Sequence, residues 1–377
     1  MLKIEKFKNR LTSALFMIPK SVVEKINSGD MKEDDFRIVA LNFAKVVSEK
    51  ARGMFKTKEK YDDYIIEYYI VEIMRFFFGF PPILFYAFLR DHKKLREILN
   101  LKVLKTFSSY EDFRRKLHKL KIRINNIIKR NVAEKVGEIY GLDTTVATVD
   151  LNRPRQGKKI KDGFFDASFC FDSARGVEVG YVVCTLINLT NFSVVDVRIY
   201  PKNKSKKEIW EEMVIANLGT ESGKIKVVIA DAGFFAYDSV LLPLNYRIIP
   251  VIKVKKNVDR EELKRKVEKT LPNIRWFDSR YNRILSCLLE DFSYLIKKTI
   301  EGIDRYEEFA EIRSRIELFF KVAKAMFGLR DLHVYYRKYA ITEIRMIFYA
   351  TQLFCQFCLK NGINIERFVE RVRRRRV

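Results

Sequence analysis

Hydrophobic and polar positions change their spacing partway along the chain. From residue 1 to about 135, apolar residues recur at intervals of three and four among Lys, Arg and Glu, which predicts helices. From about Gly141, β-branched and aromatic residues crowd into short runs. Such runs are typical of strands, which we expect over 142–151, 180–189 and 192–200.

The order of the later elements indicates a fold. Only Thr190 and Asn191 separate the second and third strands, so an antiparallel hairpin is expected. Residues 204–219 then predict a helix, and 226–253 predict a strand, a loop, a short helix and a strand. More helices follow. This is the order of an RNase H-like α/β domain, in which a mixed five-stranded sheet is flanked by helices.

This order divides the chain into three regions. We expect a helical, basic region over 1–135, the RNase H-like catalytic domain over 136–360 and a basic C-terminal tail over 361–377. The first region is a candidate for binding DNA ends, because its predicted helix over 106–131 is strongly basic. An ordinary exposed charged face would have the same composition.

Net charge narrows the choice of partner. The chain has 73 Lys and Arg against 48 Asp and Glu, a formal charge of +25 and a pI near 9.7. Such an excess favours a polyanion, either nucleic acid or an anionic membrane surface. The longest apolar stretches, 76–89 and 346–359, are too short to span a membrane and contain Pro or Gln. The N-terminus has no signal-peptide pattern, so an intracellular protein is expected.

Histidine and cysteine chemistry has little support. The three histidines are far apart in sequence and have no metal-ligand spacing, which argues against a histidine-based hydrolase. Five cysteines in a chain without a secretory signal argue against a disulfide framework. Cys355 and Cys358 form a C-x-x-C inside an apolar helical run, where packing in the core is the expected role.

Carboxylates at predicted strand ends are the main candidates for chemistry. Asp143 follows the short lead "YGL", and Asp231 ends the run "KVVIAD". A carboxylate that ends a buried strand is costly unless it is paired or binds a metal, and α/β sheets tend to bind ligands at such ends. The alternatives to Asp143 as the first carboxylate are Asp150, Asp166 and Asp172.

A third carboxylate lies on a predicted amphipathic helix over 312–324. At about 100° per residue, Arg313, Glu317 and Lys324 share one strip beside the apolar face. Solvated ion pairs would also explain this strip. With the two aspartates, however, Glu317 completes an acidic triad in a cationic chain. Mg²⁺ prefers oxygen ligands, and two such ions stabilise the attacking and leaving oxygens of a phosphodiester.

These residues resemble a known family. Arg313, Glu317 and Lys324 reproduce the R-x3-E-x6-K part of the YREK signature of insertion-sequence DDE transposases, which belong to the RNase H-like superfamily. "DTT" at Asp143 and "VVIADAGFFAYDSV" resemble the segments around the two aspartates of that family, and "GYVVCTLINL" resembles the strand between them. The resemblance covers roughly residues 85–360.

One position departs from the signature. The tyrosine expected three residues before the arginine falls at Ala310, and only Phe309 and Tyr306 lie nearby. The departure affects the role of the tyrosine and leaves the acidic triad unchanged.

The resemblance implies a DNA transposase that cleaves at the ends of its own insertion sequence and joins 3′-OH ends to target DNA by metal-dependent transesterification. It implies that Asp143, Asp231 and Glu317 hold two Mg²⁺ ions, with Mn²⁺ as a possible substitute. The implied partner is double-stranded DNA and not a membrane. A homodimer in the DNA complex and a prokaryotic, nucleoid-associated cytoplasmic location are implied as well. The predicted DNA-binding residues are Arg114, Arg115, Arg313, Arg315, Lys321 and Lys324.

Two other functions fit the same residues. An RNase H-like nuclease would hydrolyse nucleic acid without strand transfer, and only a transposase would join a supplied 3′-hydroxyl end to target DNA. A catalytically inactive transposase remnant would bind DNA in a salt-sensitive way and would not cut it in the presence of metal.

Overall fold

The described chain falls into two units. The computed structural model describes residues 18–54, 62–80, 82–102, 139–149, 167–172, 176–200, 204–219, 225–270, 282–330, 332 and 337–376. Unit one comprises the described parts of Met1–Val132, Thr148–Asp166 and Leu318–Val377. Unit two comprises those of Ala133–Ala147 and Ala167–Glu317.

Helices account for much of the described chain. The first five are α1 (Lys20–Ser28), α2 (Glu33–Met54), α3 (Asp62–Phe78), α4 (Pro82–Asp91) and α5 (Lys93–Ile98). The next five are α6 (Lys206–Trp210), α7 (Ala216–Leu218), α8 (Tyr237–Leu241), α9 (Arg260–Glu268) and α10 (Asn282–Asp304). The last are α11 (Ala310–Met326), α12 (Arg337–Asn361) and α13 (Ile365–Arg376). A π-helical turn, Glu211–Ile215, joins α6 to α7.

Aromatic side chains from several helices form the core of unit one. Phe43 of α2 lies 5.0 Å from Phe77 of α3 and 5.4 Å from Phe354 of α12, measured between ring centroids. Phe354 in turn lies 5.3 Å from Phe368 of α13. Pairs at these separations add to the apolar area that each ring buries. The helices of unit one are therefore held together by interlocking rings.

Unit two contains a mixed sheet. Its strands are β1 (Ile139–Thr148, whose last residue counts with unit one), β2 (Ser168–Asp172), β3 (Gly176–Asn188), β4 (Val194–Tyr200), β5 (Lys226–Ala230) and β6 (Ile248–Ile252). The spatial order is β2-β3-β1-β5-β6, and β4 also pairs with β3. The β3–β4 pair is antiparallel, whereas β1–β5 and β5–β6 are parallel.

The composition of β5 and β6 explains why both strands are buried. All five residues of β6, "IIPVI", are buried, and Val228, Ile229 and Ala230 of β5 are fully buried. Strands that are covered on both faces of a sheet have continuous apolar sequences. Pro250 of β6 has no N–H to donate, and it is accommodated because β6 ends the strand order.

Helices of unit two pack on this sheet. Trp210 at the end of α6 is fully buried, and its ring centroid lies 6.3 Å from that of Phe234. Gly302 of α10 lies against β6, where an added Cβ would come within 3.2 Å of Val251 Cγ2. A glycine at this point lets the helix approach the strand closely.

The predicted fold class is confirmed. Strands β4, β3, β1, β5 and β6 form the mixed five-stranded sheet with helices that the element order predicted. The predicted helical character of the N-terminal region is found in α1 to α5, whereas 106–131 lies outside the described residues. The short strand β2 was not predicted.

The strand β2 has an unusual pattern. Phe169 and Phe171 are 69% and 65% exposed, whereas Cys170 between them is buried with Val146 and Val182. The apolar residues therefore face outward and the small one faces inward, the reverse of the usual signal for a half-buried strand.

The predicted boundaries 1–135, 136–360 and 361–377 stay predictions. Helix α13 lies within the segment predicted as a basic tail. Among the residues described, no helix has both the length and the apolar character needed to cross a membrane.

Candidate active site

Two aspartates lie directly after the paired stretch of two adjacent parallel strands. In the register of β1 and β5, Leu142 is the partner of Ala230. Asp143, inside β1, and Asp231, directly after β5, are the next residues along the chain. Because neighbouring strands lie about 4.8 Å apart, the register itself places the two predicted carboxylates side by side.

Asp143 is held in a partly desolvated setting. Its Oδ1 accepts a hydrogen bond of 2.7 Å from the backbone N–H of Thr144. Burial, together with the negative charge of Asp231, raises the pKa of Asp143 from its usual 3.8 to about 6. The Thr144 hydrogen bond and the charges of Arg313 and Lys206 act in the opposite direction. Negative charge at this strand end is therefore only partly compensated.

Asp231 is oriented by its own backbone and by a lysine. It is the N-cap of the 3-10 turn Ala232–Phe234, and its Oδ1 accepts a 3.0 Å hydrogen bond from the N–H of Gly233. Its Oδ2 lies 3.5 Å from Nζ of Lys206, the first residue of α6. Oδ1 of Asp231 thus accepts a hydrogen bond from the local backbone, and Oδ2 faces the ammonium group of Lys206.

The predicted arginine and glutamate form an ion pair on α11. Arg313 Nη2 lies 2.7 Å from Glu317 Oε1, one helical turn away. The Glu317 side chain is 57% exposed and that of Arg313 is 23% exposed. Burial lowers the pKa of Arg313, but the negative groups around it, among them Asp143, Glu317 and Asp231, outweigh that effect and raise it. Arg313 therefore links Glu317 electrostatically to both aspartates.

The donor set fits a hard divalent cation in part. Asp143 and Asp231 offer carboxylate oxygens at one strand end, and Mg²⁺ prefers such ligands. Within the described part of the chain, no group of three or more His, Cys, Asp or Glu side chains is placed to hold a metal ion. The structure brings the two aspartates together, while Glu317 is bonded to Arg313 instead of standing as a third donor.

Tyr306 takes up a position beside this site. Ala310, where the signature tyrosine would fall, is the first residue of α11. Tyr306 lies in the preceding 3-10 turn, is buried, and donates a 3.1 Å hydrogen bond to the carbonyl oxygen of Ala230. Burial raises the pKa of Tyr306, and the charge of Arg313 opposes that shift. This tyrosine thus contacts the residue directly before Asp231.

Two lysines near the site were not predicted. Lys206 contacts Asp231, as described above. Lys253 follows Ile252, the register partner of Ala230 on β6, so it occupies the strand position equivalent to Asp231. Its N–H donates to the carbonyl oxygen of Ala230 at 3.3 Å. The sequence signal for Lys253 was its place directly after a buried strand. No comparable signal marked Lys206.

The other predicted DNA-binding residues are held in different places. Arg315 Nη1 donates to the carbonyl oxygen of Leu189 at 2.6 Å, and its guanidinium lies 5.6 Å from the ring centroid of Phe192. In unit one, Lys321 pairs with Glu366 and Glu370, and Lys324 is half-buried on α11. Arg114 and Arg115 lie outside the described residues. The DNA contacts of all these residues stay predictions.

Two of the three alternatives to Asp143 lie outside the described residues, and the third lies on another strand. Asp150 and Asp166 lie outside the described residues. Asp172 ends β2, and its backbone pairs with Gly176. Among the described residues, Asp143 is therefore the candidate that the β1–β5 register sets beside Asp231.

The fold and the paired aspartates define a class of proteins, the RNase H-like domains with carboxylates at the ends of their central strands. The family model "Transposase DDE domain" matches residues 138–353, which is more than half of the chain. The chain belongs to this family of transposases, as its motifs predicted. The family generally uses divalent metal ions and carries out DNA transposition chemistry.

Other comparisons add little. No curated protein matches the chain. Among solved structures, a piggyBac transposase synaptic complex with hairpin DNA, determined by cryo-EM, is similar at 10% sequence identity. The match covers 88% of this chain and 76% of the other, with a TM-score of 0.44, which is too low to bear on function.

Proposed function

We propose that this protein is a DNA transposase that cleaves at the ends of its own insertion sequence and joins the released 3′-OH ends to target DNA. The reaction class is metal-dependent phosphodiester transesterification. The main support is the register of β1 and β5, which sets Asp143 beside Asp231 in a chain of the transposase DDE family.

Asp143, Asp231 and Glu317 are the proposed ligands of two Mg²⁺ ions, for which Mn²⁺ can substitute. Their carboxylate oxygens are donors of the kind this cation prefers. When bound, the ions supply charge stabilisation to the attacking and leaving oxygens. Glu317 is exposed and is bonded to Arg313 in this structure, so its role as a ligand requires it to exchange that partner.

Arg313 is proposed to balance charge during the reaction. It already acts electrostatically on Asp143, Glu317 and Asp231. Its planar fork of donors matches a phosphate as well as a carboxylate. A guanidinium at this point neutralises charge on the DNA strand and also limits the repulsion between the two aspartates.

Double-stranded DNA, as element ends and as target, is the proposed partner. The formal charge of +25 supports it, because so large an excess of Lys and Arg attracts a polyanion. Two ends have to be brought together for coordinated joining, so a homodimer in the DNA complex is part of the proposal, as is action at the prokaryotic nucleoid. The residues proposed to contact DNA are Arg114, Arg115, Arg313, Arg315, Lys321 and Lys324.

The test is a cleavage assay on a labelled duplex that carries the element's own end, with Mg²⁺ or Mn²⁺. Glu317→Gln is expected to abolish nicking and to leave end binding largely intact. Glu311→Gln is the matched control, because Glu311 is also an exposed glutamate on α11. Nicking by Glu317→Gln at the wild-type rate would show that Glu317 is not a ligand.

Strand transfer is tested separately with a pre-cleaved 3′-OH end and target DNA. Joined product is expected from a transposase. Metal-dependent cutting without any joined product would favour an RNase H-like nuclease instead. Tight end binding without cutting, with either metal, would favour an inactive DNA-binding remnant.

A further inference from the structure

Lys206 is placed against the carboxylate oxygen of Asp231 that the local backbone leaves available. Oδ1 of Asp231 already accepts from Gly233 N–H, and Oδ2 lies 3.5 Å from Lys206 Nζ. The ammonium also lies 4.7 Å from the ring centroid of Phe234, within the range of a cation–π contact. Lys206 and Asp231 remain 33% and 32% exposed, so solvent reaches the pair.

The chain makes room for this lysine. An added Cβ on Gly233 would lie 2.6 Å from Lys206 Nζ and 3.0 Å from its Cδ. Ile209 and Trp210, which follow on α6, are buried and fix the helix that presents the lysine. The approach of Lys206 to Asp231 therefore depends on a glycine at position 233 and on a well-anchored helix.

Charge balance distinguishes Lys206 from Arg313. Asp143, Asp231 and Glu317 carry three negative charges, and Lys206 and Arg313 carry two positive charges, so one bound divalent ion would leave a net positive charge unless a cation moves away. Arg313 is bonded to Glu317 at 2.7 Å and is the less exposed of the two cations. Lys206 makes the longer contact through a flexible stem, so it is the cation that can leave.

We propose that Lys206 is a positioning residue that competes with the divalent ion for Asp231 Oδ2, and that its ammonium moves to a phosphate oxygen of the DNA once the ion is bound. This inference rests on the proposed function, since it requires Asp231 to be a metal ligand. The lysine keeps Asp231 ordered and neutralised before metal binds, and afterwards supplies charge to the substrate.

The experiment measures Mn²⁺ binding to the full-length protein without DNA, using the EPR signal of free Mn²⁺. Lys206→Met is expected to bind Mn²⁺ about twofold to fivefold more tightly than wild type, the range for removing one competing, partly exposed ion pair. Lys207→Met is the matched control, because it removes the same charge from the neighbouring residue, which pairs with Asp238. It is expected to leave the affinity unchanged.

Gly233→Ala gives an independent test in which the lysine is kept. Its methyl group displaces the Lys206 ammonium, so tighter Mn²⁺ binding is expected again. The added Cβ also lies 3.1 Å from Asp231 Oδ1, so this result counts only beside that of Lys206→Met. At saturating Mn²⁺, Lys206→Met is expected to cut DNA more slowly than wild type, because the phosphate loses a cation. Wild-type cutting under those conditions would overturn the second half of the proposal.

Asp231→Asn separates the two possible failures. If Asp231→Asn loses Mn²⁺ binding while Lys206→Met binds no more tightly than wild type, the role of Lys206 is wrong and the proposed metal site stands. If Asp231→Asn binds Mn²⁺ as wild type does, the proposed metal site fails, and the competition fails with it. Thermal melts of each variant exclude misfolding as the cause.

Discussion

Arg313 donates to Glu317 across one turn of α11 at 2.7 Å, and the same guanidinium acts on the charges of Asp143 and Asp231. Arg313→Met is therefore expected to reduce DNA cleavage by about 10- to 100-fold, the effect of losing one charge-assisted contact of roughly 1.5–3 kcal/mol. The cleavage rate of Arg313→Lys should fall between those of wild type and Arg313→Met, because lysine keeps the charge and loses the planar fork of donors. Single-turnover cleavage at saturating metal measures this effect.

The control for this prediction is Arg305→Met. Arg305 is exposed and pairs with Glu308. Cleavage by this control should match wild type. Equal losses in the two variants would mean that general charge, and not the position of Arg313, governs the rate.

The raised pKa of Asp143 makes stability depend on pH in metal-free protein. Its pKa is 3.8 in an ordinary setting and about 6 in the fold, so folding favours the protonated form. The resulting destabilisation is absent below about pH 4, grows as pH rises and is complete above about pH 6. Asp143→Asn should therefore stabilise the protein by up to about 3 kcal/mol at pH 7.5 and by almost nothing at pH 4.

Urea unfolding at both pH values, in the presence of a chelator, measures this difference. Asp238→Asn is the control, since Asp238 is an exposed aspartate in the same unit that pairs with Lys207. A gain from Asp143→Asn that is equal at the two pH values would contradict the prediction. Saturating Mg²⁺ should remove the gain at pH 7.5, because the ion then compensates the ionised carboxylate.

The two aspartates could be singled out from the sequence, but the pairing of their strands could not. Asp143 lies inside β1, and its register with Asp231 is known from the structure. The buried run "KVVIA" predicts a strand that ends directly before Asp231. Helix geometry likewise predicted that Arg313 and Glu317 share a strip, and they form an ion pair. The periodicity of a helix or strand predicts on which face of that element each side chain lies.

Contacts between side chains of different helices and strands could not be predicted from the sequence. The approach of Lys206 to Asp231 depends on how α6 packs and on the missing side chain of Gly233, neither of which a local pattern records. The same holds for Glu317. Helix geometry predicts the face of α11 on which Glu317 lies, whereas its distance from the two aspartates depends on how α11 packs on the sheet. Tyr306 reaches Ala230 from a 3-10 turn that has no distinctive sequence signal.

Tyr306→Phe tests whether the hydroxyl group supports the strand end. The Ala230 carbonyl oxygen loses the 3.1 Å bond from Tyr306 but keeps the one from Lys253 N–H. The expected cost is about 0.5–1.5 kcal/mol in the free energy of unfolding, the usual value of one hydrogen bond. Tyr237→Phe is the control in urea unfolding. Equal stability of Tyr306→Phe and wild type would show that this hydrogen bond contributes nothing.

Arg315 anchors the turn between β3 and β4, and its removal should act on stability. Its guanidinium donates to the Leu189 carbonyl at 2.6 Å and lies over Phe192, which has a φ of 61°. A non-glycine residue in this left-handed region stays there only when its surroundings hold it. Arg315→Met is therefore expected to lower the free energy of unfolding, measured by urea titration, by about 1.5–3 kcal/mol, the value of a hydrogen bond from a charged group.

Lys297→Met, which removes an equal charge from α10, should have little effect in the same urea titration. If Arg315→Met unfolds like wild type and instead weakens DNA binding, its main role is to contact DNA and not to hold the turn.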